Sequence, residues 1–217
     1  MNIHRILSCS LVTAAALVMA SPAWATLYDR GNGMVYDSAS NLTWLQDANA
    51  ARTSGASASG LLTWDAANTW AQQLSWGGFD DWRLPVVRPV NGSSLNMDYS
   101  EDGSTDGGIN TSGKNSELGY LFYISLGNQA ATGMSQSGPF TNTQDFAYWT
   151  GTTSPYGDEE ALHFFTAFGD QGSSLKVNEY LAWAVREGDV LAVPEPQQVV
   201  LLLMGLGVLA WRRRAAY

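Results

Sequence analysis

The sequence predicts one α+β domain that combines two helices, a small and mostly antiparallel sheet, and long loops. Two amphipathic segments, near residues 63–76 and 116–126, predict the helices. Strand-like segments precede and follow them, separated by turns rich in glycine, serine and asparagine. The 217 residues are 45% hydrophobic and include nine Trp, which is enough apolar material for one packed core.

A hairpin is the first predicted element of this domain. Residues 30–37 begin as a turn and become a strand, residues 37–41 are turn-rich, and residues 42–45 form the second strand. Residues 50–60 that follow are small and polar, which predicts a loop.

The first predicted helix begins after Thr63, a residue type that caps helices. Asp65 lies in the first turn, where the helix dipole favours a negative charge. Gly77-Gly78 is expected to end the helix. One face collects its apolar residues, which are Ala67, Trp70, Ala71 and Leu74.

The segment Trp82-Arg83-Leu84-Pro85 follows this helix. We expect Trp82 and Leu84 to point inward, as at the end of a strand, and Pro85 to stop it. Arg83 lies beside Asp80 and Asp81, and its forked guanidinium is expected to bind a carboxylate or backbone carbonyls. The pattern therefore favours a structural role over ligand binding.

The second half of the domain begins with a long insertion, residues 91–113, rich in Gly, Ser and Asp. A second helix is predicted from Asn115 or Ser116 to Gly127, and its inner face holds Leu118, Leu121, Phe122 and Ser125. Three strands are predicted at residues 147–152, 161–168 and 180–186, the last with Leu181, Trp183 and Val185 on one face.

The two ends of the chain predict targeting segments. Residues 1–25 have a weakly basic start, an apolar stretch and small residues at Ala23 and Ala25, as a signal peptide with cleavage after Ala25 requires. A buried N-terminal helix is the alternative interpretation. Cys9, the only cysteine, lies in this segment, so the exported protein is expected to have neither thiol nor disulfide.

At the other end, residues 199–211 are apolar all round and precede Arg212, Arg213 and Arg214. As a helix they would span roughly 20 Å, short of the ~30 Å hydrocarbon core of a bilayer. The arginines suit the cytoplasmic side. This pattern predicts a helix that anchors the protein transiently in the inner membrane. An ordinary C-terminal anchor and a buried core helix are the alternatives.

The tail resembles the PEP-CTERM sorting signal. The resemblance is carried by an apolar segment between two motifs, Val193-Pro194-Glu195-Pro196 and Arg212-Arg213-Arg214. It implies cleavage near the Pro-Glu-Pro by an exosortase-type membrane protease of a Gram-negative bacterium. The protein would then reach the cell surface or extracellular matrix. Such signals are associated with exopolysaccharide and biofilm.

Several segments between residues 27 and 190 together resemble the Lcl C-terminal domain family, a domain of unknown function. They are Gly33-Met34-Val35-Tyr36-Asp37, Leu42-Thr43-Trp44, Trp64-Asp65-Ala66-Ala67, Gly78-Phe79-Asp80-Asp81-Trp82-Arg83-Leu84-Pro85, Glu117-Leu118, Tyr148-Trp149-Thr150-Gly151-Thr152 and Ala182-Trp183-Ala184-Val185-Arg186. The Trp-Arg-Leu-Pro element also resembles formylglycine-generating enzyme and C-type-lectin-like folds. The resemblance implies a C-type-lectin-like scaffold. Some relatives are adhesins for sulfated glycans, but this chain differs from them in its acidic surface and its lack of cysteine, so their ligand is not expected for it.

Composition excludes several function classes. Residues 26–192 carry nineteen acidic side chains against seven basic ones, a balance that repels phosphate backbones, so nucleic acid is not an expected partner. A zinc site is not expected because it needs several His or Cys ligands, and a Cys nucleophile is excluded because the exported chain has no cysteine. His163 is the one histidine beyond the signal peptide, and it is expected to be a hydrogen-bonded strand residue. Paired carboxylates that hydrolyse glycans stay open as an alternative.

One loop resembles the start of an EF-hand or dockerin calcium loop. Its oxygen donors are Asp102, Ser104, Asp106 and Asn110, and Gly107 follows the third of them. The twelfth position is Gly113, so the bidentate carboxylate of such loops is missing unless Glu117 or Asp98 folds in. Calcium is thus one hypothesis, and a solvated acidic loop is the other.

These observations give three parts: a signal peptide (1–25), an Lcl C-terminal-like domain (26–190) and a sorting segment (191–217). The predicted function is a non-catalytic module that is exported and sorted by an exosortase. Its expected role is binding of exopolysaccharide or another surface glycan, or a structural role in a biofilm. The alternative is a glycan-processing enzyme that uses two carboxylates.

Overall fold

The computed structural model describes residues 27–190, and two β-sheets dominate this part of the chain. The smaller sheet is antiparallel and has four strands in the order β1-β2-β3-β11. Their bounds are β1 Leu27–Gly31, β2 Met34–Asp37, β3 Leu42–Leu45 and β11 Val185–Glu187. The predicted hairpin is confirmed, since Met34 pairs with Leu45 and Asp37 with Leu42.

The larger sheet has seven strands: β4 Leu61–Leu62, β5 Tyr99–Ser100, β6 Gly107–Ile109, β7 Ala147–Thr153, β8 Glu160–Phe165, β9 Asp170–Leu175 and β10 Tyr180–Leu181. Their order across the sheet is β4-β10-β7-β8-β9-β6-β5. The long central strands β7, β8 and β9 are antiparallel, whereas β10 runs parallel to β7 and β5 parallel to β6.

The helices of the described region are short: α1 Ala50–Thr53, α2 Trp64–Gln72 and α3 Glu117–Tyr120, which continues into a π-helical turn, Leu121–Ser125. The cap predicted for α2 is confirmed, because Thr63 Oγ1 accepts a hydrogen bond from the Ala66 amide at 3.4 Å. No helix within residues 27–190 has the length and apolar character needed to cross a membrane.

A buried aromatic cluster joins the two sheets. Trp183, which has no exposed surface, lies with its ring centroid within 5.6 Å of those of Trp44, Phe140 and Tyr148. Its indole N–H donates to the Leu45 carbonyl at 2.7 Å. Trp82 and Leu84 are also buried, as expected.

The structure corrects several predicted elements. Residues 50–60, expected as a loop, begin with α1. Residues 180–186, expected as one strand, form β10 in the larger sheet and the start of β11 in the smaller one. Ala182, Trp183 and Ala184 are all buried where the chain crosses between the sheets, so alternation does not apply there. The β-structure is therefore two sheets rather than one small sheet.

Candidate functional site

Four aromatic side chains form a continuous row on the larger sheet: Phe168, Phe165, Phe146 and Tyr180. We call this row the aromatic strip. Successive ring centroids are 5.2, 6.1 and 5.9 Å apart. Phe168 is 54% exposed and Phe146 is 38% exposed, whereas the other two rings are half-buried.

The alternation of β8 explains why this strip faces outward. Phe164 is buried and packs against Phe122, with ring centroids 5.5 Å apart. Because successive side chains of a strand point to opposite faces, Phe165 must leave the core. The predicted strand at residues 161–168 ends at Phe165, and Phe168 lies in the turn that leads to β9.

His163 lies on β8 next to the strip. Its ring centroid is 5.1 Å from that of Tyr180, and a Cβ on the facing Gly172 would come within 3.2 Å of its Nε2. Nδ1 is buried and has no hydrogen-bond partner, which corrects the expectation of a hydrogen-bonded histidine. Burial lowers the pKa of His163 to about 4, so the imidazole is neutral at neutral pH.

A cavity of about 280 Å³ opens beside the strip, and Phe146 belongs to both. We call this cavity the Asn49 pocket. Its polar lining comprises Asn49, Arg52, Ser59, Gln144 and Asp145, and Leu61 and Leu181 complete it. The lining residues come from α1, the chain before β4, the segment before β7, and β10, so the fold brings together parts that are far apart in sequence.

Asn49 is the unusual member of this pocket. It is 6% exposed, yet its Oδ1 is buried and has no hydrogen-bond partner. Gly60 lies against the amide with φ +84°, and a Cβ at that position would collide with Oδ1. Buried polar atoms in native structures are nearly always paired, so this acceptor requires a reason.

A second cavity, about 210 Å³, lies beside Trp82-Arg83-Leu84-Pro85 and is lined in part by Glu117 and Glu187. Here the buried carboxylate is paired, although the Ser40 hydroxyl oxygen, which also belongs to the lining, has no hydrogen-bond partner. Arg83 donates to both oxygens of Glu117 at 2.7 and 3.0 Å, and the Val86 amide donates to Glu117 at 2.9 Å. Arg83 also forms an ion pair with Glu187.

The expectation that Arg83 binds a carboxylate or backbone carbonyls is confirmed: the carboxylate is Glu117, and Arg83 Nη1 also donates to the Leu84 carbonyl at 3.1 Å. Asp81 instead accepts two hydrogen bonds from Arg186, at 2.7 and 2.9 Å, and this interaction lowers the pKa of its carboxyl. The backbone of Arg83 exchanges two hydrogen bonds with Val185 of β11, each at 2.9 Å. The segment thus connects α3 with β11.

The four calcium candidates differ in burial and in their hydrogen bonds. Asp102 and Ser104 are exposed, but Asp106 is buried and accepts from the Val90 and Asn96 amides at 2.7 and 2.8 Å. Asp106 also accepts from Asn115 at 3.0 Å, and Asn115 accepts from Asn110 at 2.9 Å. No group of three or more His, Cys, Asp or Glu between residues 27 and 190 is placed to hold a metal ion. Calcium binding stays a prediction, and the hydrogen bonds of Asp106 count against it.

The targeting residues lie outside the described residues. These are Ala23 and Ala25 of the predicted signal-peptidase site, Val193, Pro194, Glu195 and Pro196 of the sorting motif, and Arg212, Arg213 and Arg214. The predicted C-terminal helix lies outside them as well.

Sequence reasoning missed both the aromatic strip and the Asn49 pocket. The strip has a weak signal, since Phe164 and Phe165 adjoin in a strand and one of the two must face outward. The pocket has none, because residues near positions 49, 60, 145 and 181 meet only in the folded chain.

Comparisons with known proteins address the family and the sorting. The PEP-CTERM protein-sorting motif matches residues 192–214 and supports an exported protein that an exosortase sorts to the surface or exterior of a Gram-negative bacterium. No curated protein and no solved structure matches the chain. The Lcl C-terminal domain matches residues 33–186, which is most of the chain. The chain therefore belongs to the Lcl C-terminal domain family.

Proposed function

We propose that this protein is a non-catalytic glycan-binding module of the cell surface or extracellular matrix, and that its aromatic strip binds a polysaccharide. The observation that carries the proposal is the continuous contact of four rings, of which two are substantially exposed. A pyranose ring has an apolar C–H face. When it stacks on an aromatic ring, both surfaces leave water, which favours binding.

The spacing of the rings suits an extended chain rather than a single small ligand. Phe168, Phe165, Phe146 and Tyr180 follow one another at 5–6 Å, so the strip extends over several ring diameters. Neighbouring rings are nearly perpendicular, with interplanar angles of 81–88°, so a chain that follows the strip would contact both ring faces and ring edges. The sorting motif supports the location that such a role requires, since it supports export to the cell surface or exterior.

The charge of the domain narrows the class of polysaccharide. The nineteen acidic side chains of residues 26–192 outnumber the basic ones and repel anionic chains at long range. The strip itself carries no charged side chain. We therefore expect a neutral polysaccharide to be preferred over a sulfated or uronic-acid polymer.

A co-sedimentation assay with the exopolysaccharide of the producing strain tests the proposal. The mature protein should bind, and Phe168→Ala and Phe165→Ala should each weaken binding about tenfold or more. Tyr156→Ala is the matched control, because Tyr156 is 59% exposed but lies at the other end of β8. Equal binding by all three variants would contradict a role for the strip.

Carboxylate-dependent glycan processing is the alternative, and the second cavity is its candidate location because Glu117 and Glu187 both line it. Hydrolysis needs one carboxyl that can donate a proton and one that stays ionised. Glu117 is held by Arg83 and by the Val86 amide, which leaves it engaged in the fold. Release of reducing ends that disappears in Glu187→Gln would favour this alternative over the proposed function.

A further inference from the structure

We infer that the Asn49 pocket is a subsite for one neutral pyranose unit, with the Asn49 side chain as a hydrogen-bonding group for a sugar hydroxyl. The inference rests on the proposed function and extends it from the strip to a specificity pocket. Its first support is Asn49 itself, which is 6% exposed and lines the pocket. Its Oδ1 is enclosed against Gly60, so the side-chain N–H₂ group is the one that can donate to a sugar hydroxyl.

The other polar groups of the pocket suit hydroxyls, which both donate and accept hydrogen bonds. Arg52 can only donate, and it forms no ion pair with any residue between 27 and 190. Asp145 can only accept when ionised, and one of its oxygens accepts from the Met134 amide at 2.6 Å. Gln144 contributes a side-chain amide, which can do both.

The charges of the pocket favour a ligand without net charge. Arg52 and Asp145 have opposite signs and line the same cavity without forming an ion pair. A uronate would be attracted by Arg52 but repelled by Asp145, and a protonated amino sugar would be attracted by Asp145 but repelled by Arg52, so the two charges largely cancel for either ligand. A neutral sugar contacts both through hydroxyls and leaves neither charge opposed by one of its own sign.

The size of the pocket and its connection to the strip support one sugar unit. Its volume of about 280 Å³ lies at the small end of ligand pockets, which are usually ~300–1,000 Å³. Leu61 and Leu181 give it apolar surface for the C–H groups. Phe146 lines the pocket and also contacts Phe165 and Tyr180, so a chain on the strip can place one unit in the pocket.

Titration of the mature protein with the methyl glycosides of glucose, galactose and mannose, followed by NMR of side-chain amides, tests this inference directly. At least one glycoside should shift the Asn49 side-chain amide signal saturably at millimolar concentration. Asn49→Ala should weaken the affinity about tenfold, measured on signals of Phe146. Arg52→Met should weaken the affinity similarly, and because Arg52 is exposed, this variant can replace Asn49→Ala in the test if Asn49→Ala fails to fold. Asn178→Ala, at an exposed asparagine outside the pocket, should leave it unchanged.

The outcomes separate this inference from the proposed function. If no glycoside shifts Asn49, or if glucuronate binds more tightly than the neutral sugars, the pocket assignment is overturned whatever the polysaccharide does. If a glycoside binds in the pocket but exopolysaccharide does not bind the protein, the pocket stands and the polysaccharide function fails. If exopolysaccharide binding needs Phe165 and Phe168 but no glycoside shifts the Asn49 signal, the polysaccharide function stands and the pocket assignment fails.

Discussion

The two charged cavities of this domain differ in how they treat their polar groups. In the cavity beside Arg83, the buried Glu117 carboxylate accepts from Arg83 and from the Val86 amide. In the Asn49 pocket, a side chain of similar burial, 6% against 8% exposed, has an acceptor without a partner. The cavity beside Arg83 also has one unpaired buried atom, Ser40 Oγ, but its Glu117 carboxylate is paired with Arg83. No ion pair joins the charged side chains of the Asn49 pocket, Arg52 and Asp145.

This difference indicates which cavity serves the fold and which suits a ligand. Paired buried charges hold elements together, and here Arg83 connects α3 with β11. An unpaired buried acceptor costs stability and contributes nothing to the folded chain, unless something outside the chain satisfies it. The Trp82-Arg83-Leu84-Pro85 motif, which stands out in the sequence, therefore lies beside the cavity that serves the fold. The residues that line the Asn49 pocket form no sequence motif.

The largest expected effect tests the paired cavity. Glu117→Ala should lower the free energy of unfolding by about 3–5 kcal/mol, because it leaves the half-buried Arg83 without its main partner. Glu187→Ala should cost less than about 1 kcal/mol, since the Glu187 side chain is 65% exposed. Urea unfolding of the wild type and the two variants measures both losses of stability. Similar small losses in the two variants would contradict a structural role for the Arg83–Glu117 pair.

The next effect concerns His163, whose unpaired Nδ1 lies beside the strip. Its folded pKa of about 4 lies below the unfolded value near 6.5, so between these pH values only the unfolded chain binds the proton. Stability is therefore complete above pH ~6.5 and falls by up to about 3 kcal/mol as the pH drops to ~4.

Unfolding of wild type and His163→Gln between these pH values measures that contribution. Burial raises the pKa of Asp170, which acts in the opposite direction, but Asp170 is present in both proteins and cancels in the comparison. The same pH dependence in both proteins would show that His163 is not buried as described.

A smaller effect compares two buried asparagines directly. Asn49→Ala should change the free energy of unfolding by no more than about 1 kcal/mol, because the lost contacts are offset by removal of an unpaired acceptor. Asn115→Ala should cost about 1–3 kcal/mol, because Asn115 donates to Asp106 at 3.0 Å and accepts from Asn110 at 2.9 Å. Thermal unfolding of both variants gives the difference. A larger loss of stability in Asn49→Ala than in Asn115→Ala would contradict the proposed difference between the two cavities.

The smallest expected effect concerns the calcium hypothesis. Asp102 is exposed and its carboxylate accepts from the Ser104 amide at 3.0 Å. Asp102→Asn should therefore change stability by less than about 0.5 kcal/mol, with calcium or with chelator. A melting temperature that rises with calcium in wild type but not in Asp102→Asn would restore the loop as a calcium site.

The sequence by itself determined several local features of the fold and the sorting motif. It placed the hairpin of β2 and β3, the Thr63 cap and the buried Trp82, because these depend on turn chemistry, capping and short-range alternation. The sorting motif is also local, since it is a linear signal.

Only the tertiary structure decided which carboxylate binds Arg83 and how residues 180–186 are divided between two sheets. It also decided that Asn49 and Phe146 line the same pocket. β9 escaped prediction because its sequence, Asp-Gln-Gly-Ser-Ser-Leu, is polar and is a strand only through its pairing with β8 and β6. Contacts between residues far apart in sequence depend on how the sheets pack, and no short stretch of sequence encodes that packing.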